Sequence, residues 1–210
     1  MSEAIRGGGD GLPLLRGITA QTLAGVASEE QVIVFAERVW CLRQLARTLA
    51  ERHGVHAHVG DGQVKAPEFE LLKQRFCAGE FPILCLSQVG HEGHNLQSAS
   101  VLTHLDLPWV PNGLEQRVGR AARPGAAKGW VQTYIPYIRG GGVEHIVSIL
   151  SPRSAEHHQI LDSFEGVRAS ESTIATQLGQ IAGQVAASKN DAGFAGTAAR
   201  LRVAANVFGA

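Results

Sequence analysis

Apolar residues in this chain fall into short unbroken runs separated by stretches with helical spacing. Residues 31–36 form one such run, with β-branched and aromatic side chains clustered and no polar alternation, as expected for a strand buried on both faces. From Val39 the apolar positions Leu42, Leu45, Ala46 and Leu49 recur at helical spacing, and Gly54 stands where such a helix should stop. The alternation continues, with a short strand at 55–59, a helix at 68–78 turning Phe69, Leu72 and Phe76 inward, and a strand at 83–87. A strand at 101–107, a helix within 112–122 and a strand at 130–138 complete the series. Strands and helices alternating at this length predict an α/β fold, a parallel β-sheet with right-handed crossovers and helices on both faces. Ligands of such sheets bind beyond the carboxyl ends of the strands, which brings forward the loops after Ala36, Ser87 and Leu107.

The flanks differ from this centre. Gly7, Gly8, Gly9 and Gly11 make the start loose, so residues 1–28 are expected to be a flexible N-terminal segment. Beyond Gly140, Val143, Ile146, Val147 and Leu150 make one helical stripe that Pro152 ends, and a further helix is expected over 155–164. From Ala169 the chain is rich in Ala, Ser, Gly and Gln, although Ile174, Leu178, Ile181 and Val185 keep amphipathic spacing. The expected organisation is one lobe over 29–150 followed by a helical C-terminal accessory tail over 151–210, with room for partial disorder.

Composition narrows the options only slightly. At 210 residues there is chain for one α/β domain with its own core, and 19 Lys and Arg balance 19 Asp and Glu, so any nucleic-acid contact must come from local patches. Cys41, Cys77 and Cys85 lack CxxC spacing and read as reduced core thiols. With no apolar run of membrane-spanning length and no basic-then-apolar start, the expectation is a soluble cytoplasmic protein.

Two segments carry candidate chemistry. In residues 116–123, Arg117, Arg120 and Arg123 cluster around Gly119 on the expected helix, where residues three apart share a face. Converging guanidiniums suit an anion, because each offers planar donors and stays charged; the bland alternative is a solvated basic face. Upstream, at the end of the strand over 83–87, Gly90 and Gly93 let backbone approach a ligand closely. Ser87, Glu92 and Asn95 supply hydrogen-bonding groups beside them.

These segments resemble motifs of the Swi/Snf-type proteins in helicase superfamily two, in their carboxy-terminal RecA-like lobe. Ser87, Gly90, Glu92, Gly93, Asn95 and Leu96 match the family's Ser-x-x-Gly-Gly-Glu-Gly-Leu-Asn-Leu motif, and Gln116, Gly119, Arg120 and Arg123 match its Gln-x-x-Gly-Arg-x-x-Arg. Asp106, Trp109 and Pro111 follow its Asp-x-x-Trp-Asn-Pro, and the strand and helix within 32–49 are similar to its fourth motif. His91, His94, Val110 and Ala126 depart from the pattern, standing for Gly, Leu, Asn and Gln.

The resemblance implies a division of labour between two lobes. A first lobe holds ATP with Mg2+, and this lobe closes over it, with Arg120 and Arg123 as catalytic arginine fingers on the γ-phosphate. Gly90, Glu92, Gly93, Asn95, Gln116 and Gly119 are then the nucleotide-binding residues, while Ser87, Gln88 and Trp109 meet nucleic acid. The implied partners are double-stranded DNA and an N-terminal RecA-like lobe, encoded upstream or in another chain. Gln116, where RNA helicases open this motif with His, points to the DNA branch.

The 210 residues contain no Gly-x-x-x-x-Gly-Lys-Ser/Thr and no Asp-Glu pair at a strand end, so the isolated chain is expected not to turn over ATP. A different class stays open, a non-catalytic remnant or interaction module. No metal site is assigned: in His91-Glu-Gly-His94 the spacing is one short of HExxH and glycine breaks the segment.

Overall fold

The computed structural model describes residues 11–87, 96–109, 111–122, 126, 128, 130–136 and 198–204. Strand β1, Val32–Phe35, is wholly buried, as its unbroken apolar run requires. Its pleat sends Ile33 and Phe35 into one hydrophobic cluster and Val32 and Val34 into another on the opposite face. Helix α2, Val39–His53, lays Leu42, Leu45 and Leu49 on the second face and stops at Gly54, whose φ of 65° is the left-handed conformation a glycine takes without penalty. Strand β2 is Ala57–Gly60, helix α3 is Ala66–Cys77 and strand β3 is Ile83–Leu86. Helix α3 buries Phe69 and Phe76 on the first face. Strand β4, Val101–His104, helix α4, Pro111–Val118, and strand β5, Trp130–Pro136, follow, with Leu114 and Val118 of α4 also on the first face.

The sheet order is β2-β3-β1-β4-β5-β6, with β1 to β5 mutually parallel. The α/β reading with helices on both faces therefore holds. Because β3 and β4 flank β1, the carboxyl ends of these three strands lie side by side, at the edge where such a sheet takes its ligand.

Three expectations need correction. Within the segment expected to be flexible, Gly11–Val26 is a helix, α1, with Ala20 and Leu23 completely or almost completely buried against α2. Arg16 Nη1 donates to Gln44 Oε1 of α2 at 3.3 Å. The opening glycines misdirected the reading; Pro13 falls in the first turn, where its missing N–H costs no helical bond.

Within the expected helical tail, Ala198–Ala204 is a strand, β6, antiparallel to β5 from Trp130↔Ala204 to Pro136↔Ala198. It carries the sheet beyond the expected boundary at 150; the helices expected over 143–150, 155–164 and 174–185 lie outside the described residues. Third, the helix expected within 112–122 is α4, but it ends at Val118 and does not carry Arg120, since Gly119 to Ala122 continue as turns. Among the described residues no helix is long and apolar enough to cross a membrane.

Candidate nucleotide and nucleic-acid edge

Four strand ends build the carboxyl edge. Beyond β2, Gly60 packs so closely that a Cβ there would lie 2.6 Å from the Phe69 ring, and the next residue, Asp61, is buried. Its Oδ2 takes a 2.6 Å bond from Arg43 Nη2 of α2, and its Oδ1 accepts the Gln63 N–H at 2.9 Å. Burial alone would raise the Asp61 carboxyl, but the Gln63 N–H and the Arg43 guanidinium together hold it below its ordinary value.

Beyond β3, the Ser87 N–H donates to the Gly60 carbonyl at 3.3 Å, while its buried hydroxyl finds no partner among the described residues. Gln88, Gly90, Glu92, Gly93 and Asn95 lie outside the described residues. Leu96, which follows them in sequence, is fully buried, and its N–H donates to the carbonyl of Arg120 at 3.1 Å. That bond brings the two motifs found in sequence to one place.

The arginines divide. Arg117 is 3 % exposed, its Nη1 donating to the Asp106 carbonyl at 2.9 Å and to Asp106 Oδ1 at 3.2 Å. Its guanidinium lies over the Phe35 ring, 5.8 Å from the centroid, and His104 stacks on that ring at 5.4 Å. Asp106 Oδ2 accepts the Glu37 N–H at 2.6 Å. Arg117 is thus committed to the fold, and the expected three-arginine cluster is reduced by one.

Arg120 is half-buried and sits past the helix end, its N–H donating to the Arg117 carbonyl at 3.3 Å. Arg120 is therefore not on the helix face expected for it, and Arg123 lies outside the described residues. Gln116 is exposed and Gly119 buried.

Sequence reading missed the Asp106–Arg117 pair, although a signal was present. Leu114, Arg117 and Val118 recur at helical spacing, and an arginine on a core-facing stripe must find a buried partner. Trp40 is 65 % exposed in the first turn of α2, and Trp109 is 55 % exposed in the segment after β4. Burial first, and then the Asp106 carboxylate, push the Cys41 thiol above its ordinary value.

A sequence model described as the helicase conserved C-terminal domain matches residues 16–125, about half of the chain and all of this edge. The chain belongs to that family. The Swi/Snf-type recognition of this helicase C-terminal lobe agrees with its relatives. RNA polymerase-associated protein RapA of Vibrio atlanticus (strain LGP32) is 35 % identical over 113 residues, 53 % of this chain and 12 % of that protein. RapA of Cronobacter sakazakii (strain ATCC BAA-894) is 32 % identical over 169 residues, 79 % of this chain and 16 % of that protein.

Among solved structures, the C-terminal part of the Fun30 ATPase domain superposes with a TM-score of 0.52 at 24 % identity. The match covers 75 % of this chain and 49 % of that one. The S. cerevisiae Dbp5 C-terminal domain gives 0.50 at 19 % identity, over 71 % and 79 %. Both share the fold of the lobe.

Proposed function

We propose that the chain is the second lobe of an ATP-dependent DNA translocase and supplies its arginine fingers. The observation that carries this reading is the Leu96 N–H to Arg120 carbonyl bond, which pins the end of the glycine-rich loop to the arginine turn at the carboxyl edge. On this reading Arg120 and Arg123 aim at the γ-phosphate of ATP, spreading their charge over its oxygens as water attacks and ADP leaves.

The residues present fit a phosphate better than a metal. Arg120 is half-buried at this edge, and a guanidinium suits a phosphate and cannot ligate a metal. Asp61 and Asp106, by contrast, are occupied by Arg43 and Arg117. Magnesium and the β-phosphate then fall to a first lobe carrying a phosphate loop and an Asp-Glu pair, which these 210 residues do not contain. Gly90, Glu92, Gly93, Asn95, Gln116 and Gly119 shape the nucleotide side. Ser87, Gln88 and Trp109 meet the backbone of duplex DNA, so that closure of the lobes moves them along it.

The test is ATP hydrolysis by this chain combined with such a first lobe, with duplex DNA present. Arg120→Ala or Arg123→Ala should each lower turnover by about three to five orders of magnitude, with DNA binding kept. Undiminished turnover in both variants refutes the finger assignment. A lobe that binds its partner but never supports turnover would be an interaction module.

A further inference from the structure

We infer that Arg117 and Asp106 are positioning residues, which act by fixing the turn that carries Arg120. The inference rests on the reading of Arg120 as the residue that meets phosphate. Helix α4 has only eight residues, too few to hold its own orientation, and Arg120 lies beyond its end.

Arg120 is nonetheless held at both backbone polar atoms. Its N–H donates to the Arg117 carbonyl at 3.3 Å and its own carbonyl accepts the Leu96 N–H at 3.1 Å. Arg117 is in turn anchored by its side chain: Nη1 meets two oxygens of Asp106, one main-chain and one carboxylate, at 2.9 and 3.2 Å. The second carboxylate oxygen takes the Glu37 N–H at 2.6 Å, and the guanidinium rests over the Phe35 ring. The ends of β1 and β4, two adjacent strands, thereby fix one side of the arginine turn, and the end of the glycine-rich loop fixes the other.

Replacing a buried pair of this kind by apolar side chains of similar volume is often neutral for stability, so stability alone does not account for the charge at 117, and the orientation it enforces does. A finger displaced by about 1 Å loses about a hundred-fold in rate, so this anchoring bears directly on turnover.

Two variants test the inference. Asp106→Asn removes the counter-charge; Arg117→Lys keeps the charge and loses the stacked planar group, and it serves alone if the first does not fold. In the chain itself, hydrogen exchange at the Leu96 and Arg120 amides should accelerate while the Ile33, Val34 and Leu102 amides of the sheet keep their protection. In the ATPase assembled with a first lobe, kcat should fall about a hundred-fold with KM for ATP unchanged.

Unchanged kcat, unchanged exchange at Leu96 and Arg120, or equal acceleration throughout the sheet would each overturn the positioning role. The two levels of the argument separate cleanly. Full turnover in Arg120→Ala overturns the finger reading and with it the role in turnover, whereas an inactive Arg120→Ala beside a fully active, folded Asp106→Asn overturns positioning alone.

Discussion

The Asp106–Arg117 pair is asymmetric, and that asymmetry predicts unequal losses when either partner is removed. The Arg117 side chain is 3 % exposed, whereas 31 % of Asp106 reaches solvent. Asp106→Ala strands a buried guanidinium and also takes the acceptor from the Glu37 N–H. Breaking a buried pair in this way costs about 3–5 kcal/mol, and the partial exposure of the pair puts the expected value near the lower end, about 3 kcal/mol. Arg117→Met fills a similar volume and leaves a carboxylate that water can reach and that still binds Glu37, so its cost should be about 1–2 kcal/mol.

In the double variant no charge is stranded, and the two losses should fall short of additivity by about 2 kcal/mol. Urea denaturation at neutral pH measures all three variants. With a slope of about 2 kcal/mol per molar, Asp106→Ala should lower the midpoint by about 1.5 M. A larger loss for Arg117→Met than for Asp106→Ala, or strictly additive losses, would refute the argument.

Two further outcomes follow from the same edge of the sheet. Gly60→Ala places a Cβ 2.6 Å from Phe69 Cε2 and 3.1 Å from Leu86 Cδ2, and both neighbours are buried, so overpacking should cost about 1–3 kcal/mol; an unshifted thermal midpoint would contradict it. The Asp61 carboxyl is held below its ordinary value, so its contribution is fully present above the unfolded value of about 3.9 and is lost as pH falls through the folded one. Denaturation curves between pH 5 and acid should therefore fall less steeply for Asp61→Asn than for the native chain, and parallel slopes would count against the Arg43 and Gln63 contacts.

The parts of the fold legible in sequence were those fixed by short-range pattern. The unbroken run around β1 gave a strand buried on both faces because nothing polar interrupts it, and Gly54 marked the end of α2 because only a left-handed residue closes that turn cheaply. Helix α1 escaped because its glycine-rich approach hid a stripe containing Ala20 and Leu23 whose partner, α2, is distant in sequence. Strand β6 escaped for a similar reason, since it pairs with a strand more than sixty residues upstream.

At the site, the motifs located the carboxyl edge and the meeting of two segments, but spacing alone could not distribute the arginines. A three-residue interval suggested one helix face for Arg120 and Arg123, whereas the helix stops at Val118. Arg117 stood in sequence simply as a neighbour of Arg120 and Arg123, and only tertiary packing supplied its partner, Asp106 from the end of β4.

The central claim is that this lobe completes an ATPase site it does not contain by itself. Steady-state ATP hydrolysis should be measured for the chain alone, for a first lobe alone, and for the two together with duplex DNA. The account predicts turnover only in the combined sample, and its loss with Arg120→Ala. Robust hydrolysis by the chain alone, or a folded and associated pair without turnover, would contradict it.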